Sequence, residues 1–227
     1  MARLILCWGM IAFALGAIGM VDGFADAKSP QASPKGKEMK RLTAEDAEKL
    51  IRQHLRDAEN ANIPDAIALK DLTTDAVWEK LNVQVFKLQY GKPLPRQSAY
   101  VIKQGKAISI GRDFGGEGVN SLCVADLKGD GQPYLVFSYA WGSGEHRAMV
   151  GALDCRAKDP KEITATQAIY DDSKHDWSVR AIDTKTVRVE GGGVSFGVLE
   201  LTEKNGKATL SLRLPDDLPA NIRKNVQ

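Results

Sequence analysis

Histidine and cysteine, the residue types that most often build catalytic or metal sites, are scarce in this chain. Three of each occur among 227 residues, and the histidines stand far apart at positions 54, 146 and 175. Zinc sites need several such ligands at short spacings, so this distribution gives no support for a zinc site. With no other catalytic set recognisable, enzymatic activity is less expected than a binding or structural role, and no cofactor is expected apart from calcium in one turn.

No charge of either sign dominates the composition. The chain has 31 Lys and Arg residues against 29 Asp and Glu residues, a formal net charge of +2. Removal of residues 1–27, which hold Arg3, Asp22 and Asp26, raises this to about +3. Proteins that bind nucleic acid typically carry a clustered basic footprint, so the composition predicts no nucleic-acid partner.

A long apolar run occurs at the N-terminus. Arg3 precedes an uncharged run over residues 4–21, and Ala25-Asp26-Ala27 then forms an A-x-A cleavage pattern. These features predict a signal peptide over 1–27 and a secreted or periplasmic mature chain that starts near Lys28. The run is also long enough to span a bilayer. The alternative is an uncleaved anchor with the domain outside, the one case in which a membrane is a partner.

The chain changes character twice after this segment. Residues 28–41 are rich in Lys, Pro and Ser, a composition that predicts a flexible leader. A single β-rich domain is predicted over 42–215, with residues 216–227 as a tail. Its first element is an amphipathic helix from Thr43 to Asn60, because apolar residues recur at helical spacing and Thr43 with Asp46 resembles a capping box.

A period of two, typical of strands, begins at residue 81. Val83 and Val85 carry the apolar positions on one parity, whereas Phe86 and Leu88 carry them on the other. This switch predicts either a bulge or a strand that is covered on both faces.

Further strands follow to residue 214. Two-residue turns at Gln104-Gly105 and Asn205-Gly206 predict hairpins. The predicted fold class is α+β and mostly antiparallel β, with the N-terminal amphipathic helix followed by a meander or sandwich-like sheet system. The strands of the C-terminal half are predicted at 119–125, 134–140, 147–153, 162–169, 178–182, 186–190, 194–201 and 207–214.

Two cysteines remain after the signal region, Cys123 and Cys155. In an oxidising compartment they can form one disulfide. They can equally be two separate buried thiols, each acting as a small apolar side chain. Both interpretations stay open, because the sequence does not give the distance between them.

The segment 114–144 contains Val124-Ala125-Asp126-Leu127, Gly129-Asp130-Gly131, Pro133 and Leu135-Val136. Through these residues it resembles a single FG-GAP or VCBS-type repeat, in which a strand leads into an Asp-rich turn and a second strand leaves it. The resemblance covers about 30 residues and occurs once, so it does not imply a whole propeller.

This resemblance implies that Asp126 and Asp130 are metal ligands in a calcium-binding turn. Ca²⁺ takes 6 to 8 oxygen ligands, but Lys128 and Tyr134 stand where further acidic residues are usual in the family. The alternative is a degenerate, metal-free turn in which the Asp side chains accept bonds from local backbone amides and Gly131 supplies a positive φ.

Aromatic and basic side chains in or beside predicted loops form a candidate ligand surface: Trp141, His146, Arg147 and Trp177. The alternative is that the tryptophans cap the ends of the sheet core. We therefore predict an exported binding or structural module whose partner is an unknown extracytoplasmic ligand or protein. The alternative function is a secreted hydrolase, because the stretch 171–176 gathers Asp172, His175 and two further aspartates.

Overall fold

The computed structural model describes residues 40–59, 67–90, 96–111, 117–142, 147–170, 177–224 and 226. All belong to one compact unit, Met39–Gln227. The helices are α1 (Ala44–Glu59), α2 (Asp75–Leu81) and α3 (Ala220–Arg223). The strands are β1 (Ile67–Asp71), β2 (Gln84–Tyr90), β3 (Arg96–Lys103), β4 (Lys106–Ile110), β5 (Gly118–Ala125), β6 (Tyr134–Trp141), β7 (Arg147–Leu153), β8 (Glu162–Thr164), β9 (Ile169–Tyr170), β10 (Ser178–Ala181), β11 (Val187–Gly191), β12 (Val194–Lys204) and β13 (Lys207–Arg213).

Helix α1 begins where the sequence predicts it. The Thr43 hydroxyl accepts a hydrogen bond from the Asp46 amide at 3.2 Å, which satisfies one of the free donors of the first turn. Ala47, Ile51 and Leu55 recur every four residues and are fully buried. At 16 residues α1 is the longest described helix, and no described helix is long and apolar enough to cross a membrane.

The strands form three antiparallel sheets, each built by consecutive strands. Sheet A has the order β1-β2-β3-β4, sheet B has β5-β6-β7-β8 with β9 also paired to β7, and sheet C has β10-β11-β12-β13. Three apolar clusters fill the spaces between adjacent layers. Helix α1 packs on sheet A, sheet A packs on sheet B, and sheet B packs on sheet C. The predicted fold class is confirmed.

Strand β2 explains the change of parity in the sequence. Val85 packs in the cluster between sheets A and B, whereas Phe86 and Leu88 pack in the cluster under α1. The pairing of β2 with β3 runs without a register shift. The strand is therefore covered on both faces and contains no bulge.

Strand β6 is buried on both faces along nearly its whole length. Its side chains alternate between the two clusters: Leu135 and Phe137 face sheet A, while Tyr134 and Val136 face sheet C. The sequence of a strand in this position is a nearly continuous apolar run, as it is over Tyr134–Trp141. Sheet B is thus the central layer.

The prediction of a single strand over 162–169 is wrong, because this segment crosses from one sheet to another. Strand β8 ends at Thr164, and Ala165 then forms a parallel bridge with Leu210 of sheet C. The Gln167 side chain accepts a hydrogen bond from the Leu212 amide at 2.9 Å. The segment therefore covers the β13 edge before returning to β7 as β9.

Both ends of the predicted domain extend further than expected. Arg41, assigned to the flexible leader, bonds Asp75 at 2.9 Å and lies 5.4 Å from the Trp78 ring centre. Residues 28–39 of the leader and the signal segment lie outside the described residues. In the tail assigned to 216–227, Leu218 is buried and α3 follows it.

Two serine hydroxyls join sheets B and C inside the core. Ser138, which is fully buried, donates to the Trp177 carbonyl at 2.6 Å. Its oxygen lies 2.7 Å from that of Ser121, which accepts from the Val179 amide at 2.7 Å. Since the one hydroxyl proton of Ser138 goes to Trp177, Ser121 must be the donor between the two serines. This relay satisfies the carbonyl that precedes β10 and one amide within that strand.

Replacing Ser138 by alanine should lower the free energy of unfolding by about 2 kcal/mol, because the Trp177 carbonyl and the Ser121 hydroxyl lose their partner in the core. Urea unfolding followed by circular dichroism measures this change. Ser178→Ala is the matched control: Ser178 is exposed and should change stability by less than about 0.5 kcal/mol. Equal effects of the two substitutions would contradict the relay.

Candidate functional site

The Asp126 turn closes on itself through backbone amides. One carboxylate oxygen of Asp126 accepts from the Asp130 amide at 3.1 Å and the other from the Gly131 amide at 2.7 Å. Asp130 in turn accepts from the Gln132 amide at 3.0 Å. Gly131 has a φ of +81°, a conformation that glycine adopts without strain. These bonds are the ones that the metal-free interpretation predicts.

The electrostatics of the turn agree with this description. Burial acts to raise the pKa of the Asp126 carboxyl, but the hydrogen bonds from Gly131, Asp130 and Gly129 outweigh it and lower the pKa. The Lys128 ammonium bonds Glu203 at 2.6 Å, and this bond raises the lysine pKa. Lys128 therefore points out of the turn and does not take the place of an ion. Within the described ranges no three His, Cys, Asp or Glu side chains gather in a way that could hold a metal.

We expect calcium to leave the stability of the domain unchanged, because both oxygens of Asp126 already accept amide hydrogen bonds. Thermal unfolding in excess Ca²⁺ and in chelator measures this directly. A ligand at about 100 times its Kd adds about 2.7 kcal/mol, which is readily detected. A higher Tm in calcium that disappears in Asp126→Asn would show that the turn binds the ion.

Two residues of the predicted ligand surface meet at one end of sheet B. Trp141 and Arg147 pair across β6 and β7, and the guanidinium lies 4.8 Å from the centre of the indole ring. The indole nitrogen of Trp141 donates to the Met149 sulfur at 3.2 Å. Their part in binding stays a prediction, and His146 lies outside the described residues.

Trp177 does not belong to that surface, so its assignment is wrong. The residue is 1% exposed, and its ring centre lies 5.4 Å from that of Phe196 between sheets B and C. An indole ring this large is stabilised chiefly by burial of its apolar area. Trp177 therefore fits the alternative interpretation, in which a tryptophan closes the sheet core.

The residues of the hydrolase alternative, 171–176, lie outside the described residues, so this function stays a prediction. A G-x-S-x-G motif, which is not among the sequence-based predictions, occurs over Gly193–Gly197. Its serine, Ser195, lies in β12 opposite Glu190, in a hairpin. The nucleophile of such enzymes instead lies on a turn between a strand and a helix. This motif therefore gives no support to a serine hydrolase.

The two cysteines lie in different layers of the core. Cys123 packs against the cluster between sheets B and C, whereas Cys155 belongs to the cluster between sheets A and B. Burial raises the pKa of each thiol to about 12. Both are free thiols, Cys155 buried and Cys123 partly buried, so the structure agrees with the interpretation as two separate thiols and not with a disulfide.

A basic cavity that the sequence did not reveal lies where sheet A meets sheet B. It has a volume of about 640 Å³, within the about 300 to 1,000 Å³ range of small-molecule sites. The tip of the β3–β4 hairpin, the loop after β7 and helix α1 form its walls. We call it the basic groove and define it by its charged and titratable lining: His54, Lys103, Lys106, Arg156, Lys158 and Asp159.

Local turns place these side chains. Gln104 and Gly105 both have positive φ, as a two-residue hairpin turn requires, so Lys103 and Lys106 lie directly opposite each other. The Lys103 ammonium donates to the Ala157 carbonyl at 2.7 Å. This bond joins the hairpin of sheet A to the loop that follows sheet B.

The loop after β7 is fixed by an Asp–Arg pair. Asp154 accepts from the Arg156 guanidinium at 2.8 and 3.0 Å, and also from the Arg156 amide at 3.0 Å. Burial acts to raise the pKa of Asp154, but the bonds from Arg156 outweigh it and lower the pKa. The guanidinium also lies 5.6 Å from the Tyr134 ring centre. Arg156 is therefore held in place, with two of its five guanidinium N–H donors bonded to Asp154.

The lysine charges in the basic groove are not neutralised by acidic side chains of the described residues. Lys106 and Lys158 form no ion pair within the described part of the chain, and Lys103 bonds a neutral carbonyl. Asp159, the acidic residue of the lining, lies 3.9 Å from Lys161, where both side chains are more than 80% exposed. A pair so exposed contributes little. The groove consequently has a positive potential.

A smaller hollow of about 210 Å³ continues the groove along α1. The two share His54, Lys106 and Ala107. Leu50 and Asp57 line the far side of the smaller hollow, so the positive potential weakens there. The His54 ring meets the Tyr100 ring edge-on, with their centres 5.9 Å apart. The site is thus elongated, with its positive end at the loop after β7.

No family model, curated protein or solved structure matches this chain. The resemblance of residues 114–144 to an FG-GAP or VCBS-type repeat therefore stays a prediction.

Proposed function

We propose that this chain is an exported binding module that takes an anionic ligand in the basic groove. The observation that carries this proposal is the cavity itself, in which Lys103, Lys106 and Lys158 share one space without acidic partners. Like charges held together repel, and an anion that enters the cavity removes this repulsion. The lysine content of the chain is ordinary, but the fold brings three lysines together in one specific site.

Binding is favoured over catalysis by the chemistry of the lining. Lysine ammonium groups and one fixed guanidinium supply donors and positive charge, but they do not form a nucleophile with an adjacent base. His54 is the imidazole of the groove, and it lies at the junction with the smaller hollow. The lining suits recognition of a charged group rather than its transformation.

The lining also argues against nucleic acid. Among its described residues there is no Phe, Tyr or Trp side chain on which a base could stack. Single-stranded nucleic-acid sites combine a basic groove with such aromatic platforms. The groove therefore suits a small anion better than a single-stranded nucleic acid.

Multivalent anions should raise the Tm of the wild-type protein more than that of the double variant Lys106→Ala with Lys158→Ala. At about 100 times the Kd, a bound anion adds about 2.7 kcal/mol, or roughly 5 to 10 °C. Thermal unfolding at low ionic strength with sulfate, phosphate, citrate and tripolyphosphate measures it. The difference between the proteins is decisive, because such anions also stabilise proteins without binding.

The matched control is Lys204→Ala with Lys207→Ala, which removes the same charge at an exposed hairpin outside the groove. It should behave like the wild type. If every anion shifts all three proteins equally, the groove binds no anion and the proposed function fails.

Export itself predicts a defined N-terminus. When the full chain is expressed in a bacterium, the protein recovered outside the cytoplasm should begin at Lys28, because the A-x-A pattern directs cleavage after Ala27. N-terminal sequencing and intact mass measure this. Ala27→Tyr, which puts a large side chain at the cleavage site, should leave the segment attached. A soluble cytosolic protein that retains Met1 would contradict export.

A further inference from the structure

We infer that the anion taken by the basic groove is a short soluble chain of two or three phosphate groups. This inference rests on the proposed function and specifies its ligand class. It comes from three observations: the number of uncompensated charges relative to the size of the cavity, the type of cation that carries them, and the scarcity of exposed large hydrophobic side chains in the described part of the chain.

The number of charges indicates a multiply charged ligand. Lys103, Lys106 and Lys158 are the uncompensated cations, and they come from two separate parts of the chain. A single small anion would fill a minor part of a cavity of about 640 Å³ and would not balance the charge of three ammonium groups. A linear molecule with several anionic groups could contact them in turn.

The type of cation fits phosphate, for which lysine is a common ligand. An arginine fork binds a planar carboxylate through two parallel bonds, and it binds phosphate in the same way. Arg156, the arginine of the groove, already uses its Nε and one terminal nitrogen on Asp154. The free cations are lysines, which act as compact point charges and bind tetrahedral phosphate oxygens without a preferred plane.

The surface around the groove indicates a ligand free in solution. The one large hydrophobic side chain that is exposed in the described part of the chain is Ile182, in the turn after β10 and outside the groove. A protein that docks on a membrane usually presents several such side chains beside its basic patch. The groove therefore fits a soluble phosphate chain rather than a lipid headgroup in a bilayer.

Isothermal titration calorimetry with orthophosphate, pyrophosphate, tripolyphosphate and citrate tests the inference. Affinity should rise with the number of phosphates, and tripolyphosphate should bind at least about tenfold more tightly than citrate, which also carries several charges. Lys106→Ala with Lys158→Ala should weaken tripolyphosphate at least about tenfold, whereas Lys204→Ala with Lys207→Ala should not.

A charge-conserving variant keeps the test independent of folding defects. Lys106→Arg with Lys158→Arg retains the positive potential, so this variant should still bind tripolyphosphate, unlike the lysine-to-alanine variant. Loss of tripolyphosphate binding in the arginine variant would overturn the inference that the positive charges of the groove hold the ligand.

Three outcomes separate the two proposals. Citrate binding as tightly as tripolyphosphate, with both lost in the lysine-to-alanine variant, would overturn the phosphate inference and leave the proposed function standing. Absence of binding by all four anions would overturn both. Sedimentation with phosphatidylcholine vesicles that contain phosphatidylinositol bisphosphate, but no binding of tripolyphosphate, would assign the groove to a membrane and overturn the soluble ligand.

Discussion

Strand β6 leaves neither face to water, because neighbouring sheets cover its alternating side chains on both sides. An antiparallel sheet more often keeps one face solvated. Once β6 is buried on both faces, sheets A and C must each present an apolar face to it. Phe86 and Leu88, on the outer face of sheet A, then require a further cover, which α1 supplies. The order of the four layers follows from this sequence of burial.

A central layer that excludes water also has to satisfy its polar groups and fill its space. The Ser121–Ser138 relay provides partners for the backbone beside β10 where water is absent. Gly151 meets the packing requirement, since a Cβ there would lie 2.7 Å from the Phe137 ring. Packing at this density leaves no room for the extra carbon. Small residues in sheet B are thus dictated by their neighbours in space.

Elements were predictable from the sequence wherever local chemistry decides them. The Thr43 cap and the Gln104-Gly105 and Asn205-Gly206 turns each depend on a few neighbouring residues. The crossing at Ala165 was not predictable, because it depends on pairing with Leu210, far along the chain.

The candidate site was harder to predict than the fold for the same reason. Lys103 and Ala157 are 54 residues apart, and nothing in either segment indicates that they meet. The Asp126 turn was predictable because the Asp126 carboxylate and the backbone amides that donate to it lie within six residues. Trp177 was misplaced because an aromatic residue next to a polar loop can belong either to a surface or to the end of a core.

The basic groove links the stability of the fold to its proposed ligand. Lys103 and Lys106 lie directly opposite each other in a hairpin, where like charges are destabilising. The bond from Lys103 to Ala157 does not neutralise the ammonium, and Lys158 adds a third charge to the same cavity. An anion that contacts all three removes the repulsion and strengthens the junction between sheets A and B. Ligand binding and the docking of these two layers are therefore expected to reinforce each other, because a ligand that binds the folded state stabilises it by mass action.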